Sequence, residues 1–408
     1  MDAETYYTHT LPNGLRVVFM PIASQVAYCG LSINAGSRDE QPGQLGLAHF
    51  VEHTIFKGTR HRKAWHILNR MERIGGELNA YTTKENTTVY SIFPSRYLDR
   101  AAELIADLIA YSIFPEREVM REREVVLDEA ASYRDSPSEA VYDDFEDMIW
   151  AGSQLGHNIL GVEEDLRTFT GSDCHRYLSE LYVPGNMVFF VLGDLKPQAV
   201  FRTVEKHLGC LNHPMPRRSR KAPEVLPVFR EERQMGLHQA HTIYGAPVCS
   251  MHDERRYALL LLNNMLGGPG MNSLLNIAIR ERRGYAYTVE SAATLFSDCG
   301  VLQVYFGSDL CHVKPSIRVI GDIIDRLASK PLTERALDAA KKQFIGQLVV
   351  ASDNNEALAL SVGKSFLYHG KVESNAATAE HIAAVSAPQL MDAASLILPD
   401  KASVLTFK

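Results

Sequence analysis

The sequence predicts an α+β protein made of two homologous domains, and three observations lead to this prediction. Segments with alternating apolar side chains are interleaved with segments of helical periodicity, the second half repeats features of the first, and a proline-rich stretch separates the halves. A chain of 408 residues is also too long for one ordinary core. Because 46% of the residues are hydrophobic, we expect packed domains rather than disorder.

Strands and helices alternate through the first half. Leu15, Val17 and Phe19 alternate after the turn-forming Pro12-Asn13-Gly14, which predicts a strand pair. Residues 77–93 alternate and are rich in threonine, tyrosine and valine, which also favours paired strands. The predicted strands lie at 6–20, 26–35, 77–93 and 187–193, and the predicted helices at 63–74, 97–113, 116–134, 138–150, 174–182 and 197–208.

Residues 211–228 are the predicted linker between domains 1–210 and 229–408. The stretch combines four prolines with a short basic run, and this composition disfavours a packed element. The residues concerned are Pro214, Pro216, Pro223, Pro227, Arg217, Arg218, Arg220 and Lys221. A nuclear-localisation or nucleic-acid patch is the alternative interpretation, which the shortness and isolation of the run disfavour.

The second domain repeats landmarks of the first without its candidate metal ligands. Tyr287 aligns with Tyr81, each in a predicted strand. The matched ranges are 239–246 with 26–35, the apolar run 257–267 with a histidine-containing helix, and 333–350 with 116–134. We therefore predict that only the first domain keeps a metal site, and that the second is structural or supplies substrate contacts.

The histidine-containing helix carries the motif His-x-x-Glu-His. His49 and His53 are four residues apart and share one face of a helix, and Glu52 can lean toward the same side. Two imidazoles one turn apart can bind one zinc ion, and a carboxylate beside the open coordination position can act as a general base. A surface position or a satisfied core role is the alternative for such a histidine pair.

A strongly helical segment at 116–134 supplies candidates for a third ligand. Glu122 and Glu129 are seven residues apart, so they lie on one face two turns apart. Most charges of this segment fit a solvated face with internal Glu–Arg pairs. Glu129, however, follows the apolar Val125-Val126-Leu127, which indicates a packed environment.

Together these motifs resemble the pitrilysin family of zinc peptidases, which includes insulin-degrading enzyme and the mitochondrial processing peptidase. The likeness rests on His-x-x-Glu-His followed downstream by Glu-x6-Glu. It extends over essentially the whole chain through landmarks at 13–17, 35–40, 56–59, 75–82, 159–161 and 182–187. The segment 153–158 departs from the His-Pro-rich sequence that relatives often carry, and we do not expect this departure to affect the chemistry.

The resemblance implies an inverzincin site with one Zn²⁺ per chain. Its ligands would be His49, His53 and Glu129. Glu52 would act as the general base, and Glu122 would orient a ligand histidine.

The resemblance also implies substrate contacts outside the zinc site. Arg280 would hold a peptide carbonyl and Tyr287 would donate a hydrogen bond to the developing oxyanion, both facing the zinc across a cavity. The residues alone favour a different interpretation, in which Arg280 pairs with a neighbouring acid and Tyr287 packs with its hydroxyl satisfied. A strand would hold the peptide by β-augmentation. Its residues are Asn79, Ala80, Tyr81 and Thr82.

These features favour a zinc-dependent endopeptidase that cleaves oligopeptides or small unfolded polypeptides inside an enclosed chamber. Long family members build a clamshell from four such domains, so this chain corresponds to half of one. We therefore expect a homodimer in which Arg280 and Tyr287 act in trans. Two alternatives stay open, namely a non-catalytic scaffold or presequence-binding subunit, and a dedicated precursor-processing peptidase.

Composition and charge argue against other classes of protein. The net charge of −7, without a block of like charges, disfavours a nucleic-acid partner. The six cysteines are scattered without a Cys-x-x-Cys motif, which is typical of reduced thiols. The sequence shows no run long enough to span a membrane and no signal or transit peptide, so we expect no membrane association and a cytoplasmic location.

Overall fold

The computed structural model describes residues 5–211 and 219–408, which fold around two β-sheets. The strands are β1 (Tyr7–Thr10), β2 (Arg16–Pro21), β3 (Val26–Ile33), β4 (Glu77–Thr82), β5 (Thr87–Pro94), β6 (Met187–Gly193), β7 (Arg230–Arg233), β8 (Ala240–Val248), β9 (Ala286–Leu295), β10 (Gly300–Ser308) and β11 (Ser403–Phe407). The helices are α1 (Leu47–Thr54), α2 (Ala64–Glu72), α3 (Leu98–Tyr111), α4 (Glu116–Arg134), α5 (Pro137–Ile149), α6 (Glu163–Leu166), α7 (Gly171–Leu181), α8 (Pro197–Leu208), α9 (Arg256–Gly267), α10 (Val313–Ser329), α11 (Glu334–Ala351), α12 (Asn355–His369), α13 (Asn375–Ala384) and α14 (Ala387–Ser395). A π-helical turn spans Asn276–Glu281.

The two sheets have the same strand order once β1 is set aside. The first runs β1-β2-β6-β3-β5-β4 and the second runs β7-β11-β8-β10-β9. In each sheet the pair formed by β2 with β6, or by β7 with β11, is parallel, and the pairs that follow are antiparallel. This shared order and direction confirm the prediction of an α+β fold made of two homologous parts.

The chain divides into two compact units, and each unit contains residues from both sides of the predicted domain boundary. The described residues of the first unit come from Met1–Ala131, His157–Arg220 and Ser352–Ser374, and those of the second from Ser132–Gly156, Lys221–Ala351 and Asn375–Lys408. Helix α12 therefore belongs to the first unit although it lies late in the chain, and α5 belongs to the second although it lies early. The limits 1–210 and 229–408 stay a prediction about the sequence repeat.

Each of these two helices completes an apolar cluster on one sheet. On α12, Val362 and Phe366 join the cluster that contains Phe190 of β6. A Cβ atom added at Gly363 would lie 2.5 Å from Cδ1 of Phe190, so the close approach of α12 to the sheet requires glycine at this position. On α5, Val141 and Phe145 similarly join the cluster that contains residues of β8 and β11.

The predicted linker is described only in part. Pro214, Pro216, Arg217 and Arg218 lie outside the described residues, and residues 219–228 form no helix or strand. Arg220 places its guanidinium Nη2 2.7 Å from Oδ2 of Asp39 and donates from the same atom to the carbonyl oxygen of Glu85. Arg220 thus ties this end of the stretch to the loop that precedes α1.

Candidate metal centre

Helix α1 carries the His-x-x-Glu-His motif, and its start is held by a buried carboxylate. Gly46 precedes the helix with φ of 96°, a left-handed conformation that glycine adopts readily. The backbone N–H groups of Gly46 and Ala48 donate to the two carboxylate oxygens of Glu40 at 2.9 and 2.7 Å. Because the first N–H groups of a helix have no partner within it, Glu40 satisfies two donors that would otherwise be unpaired.

Glu40 has a further partner in the segment that departs from the family sequence. The His157 Nε2 atom lies 3.1 Å from Oε2 of Glu40, whose side chain is fully buried. Burial raises the pKa of Glu40, whereas His157 and the two backbone N–H groups oppose that rise. His157, in the segment 153–158, therefore supports the start of α1 through Glu40, a role for which the sequence alone gave no signal.

Three side chains of the motif region converge. The Nε2 atoms of His49 and His53 lie 3.9 and 3.3 Å from the same carboxylate oxygen, Oε2 of Glu129 on α4. One possible ligand atom from each residue lies within 4.8 Å of the other two. The Glu129 side chain is 44% exposed, which is more open than the preceding apolar residues led us to expect. Helices α1 and α4 thus bring together the three residues predicted as ligands.

This donor set suits zinc. Two imidazoles and one carboxylate, with a position left for water or substrate, are a common set in catalytic zinc sites. The Nδ1 atom of His49 is buried without a hydrogen-bond partner among the described residues, which leaves Nε2 as the nitrogen that faces Glu129. Burial and the neighbouring His53 lower the pKa of His49 to about 4, so its ring is neutral near pH 7, the form that binds a metal.

Glu122 holds His53 from the opposite side of the ring. Its Oε1 lies 3.1 Å from Nδ1 of His53, and its Oε2 lies 2.7 Å from Nζ of Lys57. Burial raises the pKa of Glu122, but the hydrogen bonds with His53 and Lys57 lower it by a larger amount, so the net shift is downward. This arrangement fits the predicted role of Glu122 as an orienting group, and it adds Lys57, for which the sequence suggested no role.

Glu52 lies on the same helix beside the predicted substrate strand. Burial raises the pKa of its carboxyl group, while hydrogen bonds with Thr82 and the charge of His53 oppose that rise. Thr82 ends β4, which forms one edge of the first sheet. The structure therefore brings the predicted base next to the predicted strand. The other predicted residues of that strand, which also lie on β4, are Asn79, Ala80 and Tyr81.

Arg280 and Tyr287 lie in the second compact unit. Arg280 belongs to the π-helical turn Asn276–Glu281, and its Nε is 3.8 Å from Oε1 of Glu281, a long and half-exposed pair. Tyr287 lies near the start of the edge strand β9 and is 67% exposed. Such exposure does not fit the alternative of a packed tyrosine, and the roles of both residues toward zinc stay predictions.

Comparison with known sequences decides the family. Residues 16–163 match the family described as Insulinase (Peptidase family M16), and residues 168–344 match the one described as Peptidase M16 inactive domain. The chain belongs to peptidase family M16. The resemblance to zinc peptidases of the pitrilysin type is thereby confirmed at the level of the family.

Relatives within family M16 align over most of the chain. Proteins named uncharacterized zinc protease are 33% identical in Streptomyces coelicolor, over 89% of this chain and 80% of that protein, and 33% identical in Bacillus subtilis, over 89% and 88%. Another of the same description in Rickettsia bellii is 30% identical over 98% and 97%.

Solved structures support the M16 fold independently. A protease from Helicobacter pylori superposes with a TM-score of 0.92 at 22% identity, covering 99% of both chains. A protein from Pseudomonas fluorescens, described as a peptidase M16 inactive domain, also superposes with a TM-score of 0.92 at 17% identity, over 99% and 97%. No helix among the described residues of this M16 chain is long and apolar enough to cross a membrane.

Proposed function

We propose that this chain is a zinc-dependent endopeptidase whose metal ion is held by His49, His53 and Glu129. The observation that carries the proposal is the convergence of one donor atom from each of these residues within 4.8 Å. Membership of family M16 and relatives named zinc proteases support it. A zinc ion bound at these residues supplies Lewis-acid chemistry, activating a water molecule and polarising the scissile carbonyl.

The residues around the cluster perform the remaining chemistry. The Glu52 carboxylate accepts a proton from the attacking water and delivers it to the leaving amine, so one side chain serves first as base and then as acid. Glu122 keeps the His53 ring turned with Nε2 toward Glu129, because it holds the opposite nitrogen. Thr82 lies close enough to Glu52 to favour the charged form of its carboxyl group, which supports a base that works beside strand β4.

The substrate class that we propose is an extended peptide. Strand β4 pairs with β5 on one side and, among the described residues, with no strand on the other. A peptide added along this free side would be held by backbone hydrogen bonds, which do not discriminate between side chains. We therefore assign oligopeptides and small unfolded polypeptides as substrates, cut within a chamber that a second copy of the chain completes, with Arg280 and Tyr287 of one copy acting in the other.

Zinc analysis combined with cleavage of a quenched peptide library tests the proposal. We expect one zinc per chain, cleavage of many unrelated peptides, and a loss of turnover of about 10²- to 10⁴-fold in Glu52→Gln with zinc retained. Glu124→Gln, on the exposed face of α4, is the matched control and should behave as the wild-type protein.

Other outcomes would separate the alternatives. Zinc binding without cleavage of any peptide would favour a non-catalytic scaffold or presequence-binding subunit. Cleavage confined to a narrow set of related sequences would favour a dedicated processing peptidase. Normal turnover in Glu52→Gln would show that the assignment of the base is wrong.

A further inference from the structure

Lys57 and His53 contact the same carboxylate, that of Glu122, from neighbouring turns. Helix α1 ends at Thr54 and continues as a short 3-10 turn, Ile55–Lys57, so Lys57 lies four residues after His53 and reaches the same side. Its Nζ lies 2.7 Å from Oε2 of Glu122, while Nδ1 of His53 lies 3.1 Å from Oε1. Each oxygen of the Glu122 carboxylate therefore has its own partner.

The Glu122 carboxylate is placed so that losing one partner would matter. Its side chain is only 10% exposed, and that of Lys57 is 29% exposed. When a carboxylate is largely removed from water, each oxygen left without a hydrogen bond or an opposite charge destabilises the folded protein. With both oxygens engaged, rotation of the carboxylate would break two contacts at once.

We propose that Lys57 is a positioning residue for the metal centre, acting on His53 through Glu122. This inference rests on the proposed function. Lys57 fixes the carboxylate plane of Glu122, and Glu122 then fixes the His53 ring with Nε2 toward Glu129, 3.3 Å away. Without Lys57, Glu122 is free to turn toward water or toward its remaining partner, and the His53 ring loses its fixed orientation. Among the described residues, the ion pair of Lys57 is with Glu122 and not with a ligand side chain, so its effect should appear in metal affinity.

The position of Lys57 in the sequence agrees with such a role. It lies in the segment Phe56-Lys57-Gly58-Thr59, which begins three residues after His53. Gly58 has φ of 158°, and a Cβ atom added there would approach Pro115, the residue before α4, to 3.2 Å. The chain therefore passes close to the start of α4 immediately after Lys57, which keeps the lysine within reach of Glu122.

The test is the zinc affinity of the full-length metal-free protein, measured by competition with a chromophoric chelator. We expect Lys57→Met to weaken zinc binding by about 10-fold or more, the range typical for loss of groups that orient metal ligands. Lys57→Arg should retain most of the wild-type zinc affinity, because a guanidinium can still donate to Glu122. Lys63→Met removes an exposed lysine a few residues away and should leave the affinity unchanged.

A double-mutant cycle shows whether Lys57 acts through Glu122. If it does, Lys57→Met added to Glu122→Gln should cause no further loss of zinc affinity. Full additivity in the double variant would overturn the inference, as would wild-type affinity in Lys57→Met. Should Lys57→Met fail to fold, Lys57→Gln takes its place in the same cycle, since it removes the charge and keeps a donor.

Failure of this inference can be distinguished from failure of the proposed function. A wild-type protein that binds no zinc would overturn both. A wild-type protein that binds zinc, together with an unaffected Lys57→Met, would overturn the role of Lys57 alone.

Discussion

Asn264 donates a hydrogen bond from Nδ2 to Oε1 of Gln347 at 2.6 Å, joining helices α9 and α11 of the second unit. In the first unit, His53 and Glu129 join α1 and α4, with Nε2 and Oε2 3.3 Å apart. Gln347 is the fourteenth residue of α11, as Glu129 is of α4. The second unit therefore keeps a polar link between the equivalent helices, built from neutral amides in place of imidazole and carboxylate.

This difference predicts one zinc ion per chain. Amide side chains are not among the usual zinc ligands, whereas imidazole and carboxylate are. Metal analysis of dialysed protein should give one zinc per chain for the wild type and for Asn264→Ala, and essentially none for His53→Ala. Two zinc ions per chain, or loss of zinc in Asn264→Ala, would contradict the assignment of the site to the first unit.

The proposed action in trans predicts that two inactive variants rescue each other. Glu52→Gln and Tyr287→Phe should each be strongly impaired alone. In a heterodimer of the two, one active site would combine an intact Glu52 with the intact Tyr287 of the other copy, so about half of the wild-type activity should return.

Differently tagged subunits, purified through both tags, provide the heterodimer for this measurement. Peptide cleavage by that material is compared with cleavage by each parent homodimer. If verified heterodimers stay as inactive as their parents, Tyr287 does not act across a dimer interface.

From the contacts of Asp107 we predict that its carboxylate stabilises the folded protein at neutral pH and that this contribution is lost in acid. Its buried carboxylate accepts hydrogen bonds from Arg62 and Thr59 at 2.7 and 2.8 Å, and its Oδ1 lies 2.5 Å from Nδ1 of His61. Burial raises the pKa of Asp107, but these three partners together lower it by a larger amount, so the net shift is downward. A group with a depressed pKa in the folded state stabilises the protein above its unfolded pKa, about 3.9 for aspartate, and loses that contribution as the pH falls through the folded pKa.

Asp107→Asn should therefore lower the free energy of unfolding at pH 7 by about 3 kcal/mol, with a difference from wild type that shrinks below about pH 4. Urea unfolding at several pH values measures this. A difference between the two proteins that stays constant from neutral to acidic pH would show that the ionised carboxylate is not the stabilising form.

We predict that alanine has opposite effects on protein stability at two helical glycines. At Gly363 on α12 the added methyl group would overlap Phe190, so Gly363→Ala should destabilise the protein by about 1–3 kcal/mol. At Gly346 on α11 the added methyl group meets no atom within 4 Å, so Gly346→Ala should stabilise by about 0.5–1 kcal/mol. Chemical denaturation of both variants checks the pair, and equal stability of the two would refute the close packing of α12 on its sheet.

Much of the local structure could be predicted from the sequence because it depends on nearby residues. The spacing of His49 and His53 indicated a shared helix face, and the spacing of Glu122 and Glu129 indicated another. The first pair lies on α1, and the second lies on α4, whose range Glu116–Arg134 is the one predicted for that helix. Such periodicities depend on helix geometry alone, so the sequence reveals them directly.

The long-range contacts could not be predicted in the same way. The apolar face of α5, with Val141 and Phe145, shows that the helix needs an apolar partner, but not which sheet provides it. Likewise Glu40, Lys57 and His157 lie in or beside recognisable landmarks, yet their partners are set by how separate segments meet. Their roles therefore became visible only in the folded structure.

Anomalous X-ray diffraction at the zinc edge, on crystals of Glu52→Gln grown with zinc, is the most direct test of the central claim. We expect one peak per chain, within bonding distance of His49, His53 and Glu129. A peak elsewhere, or a zinc ion bound by the two histidines with Glu129 turned away, would contradict it.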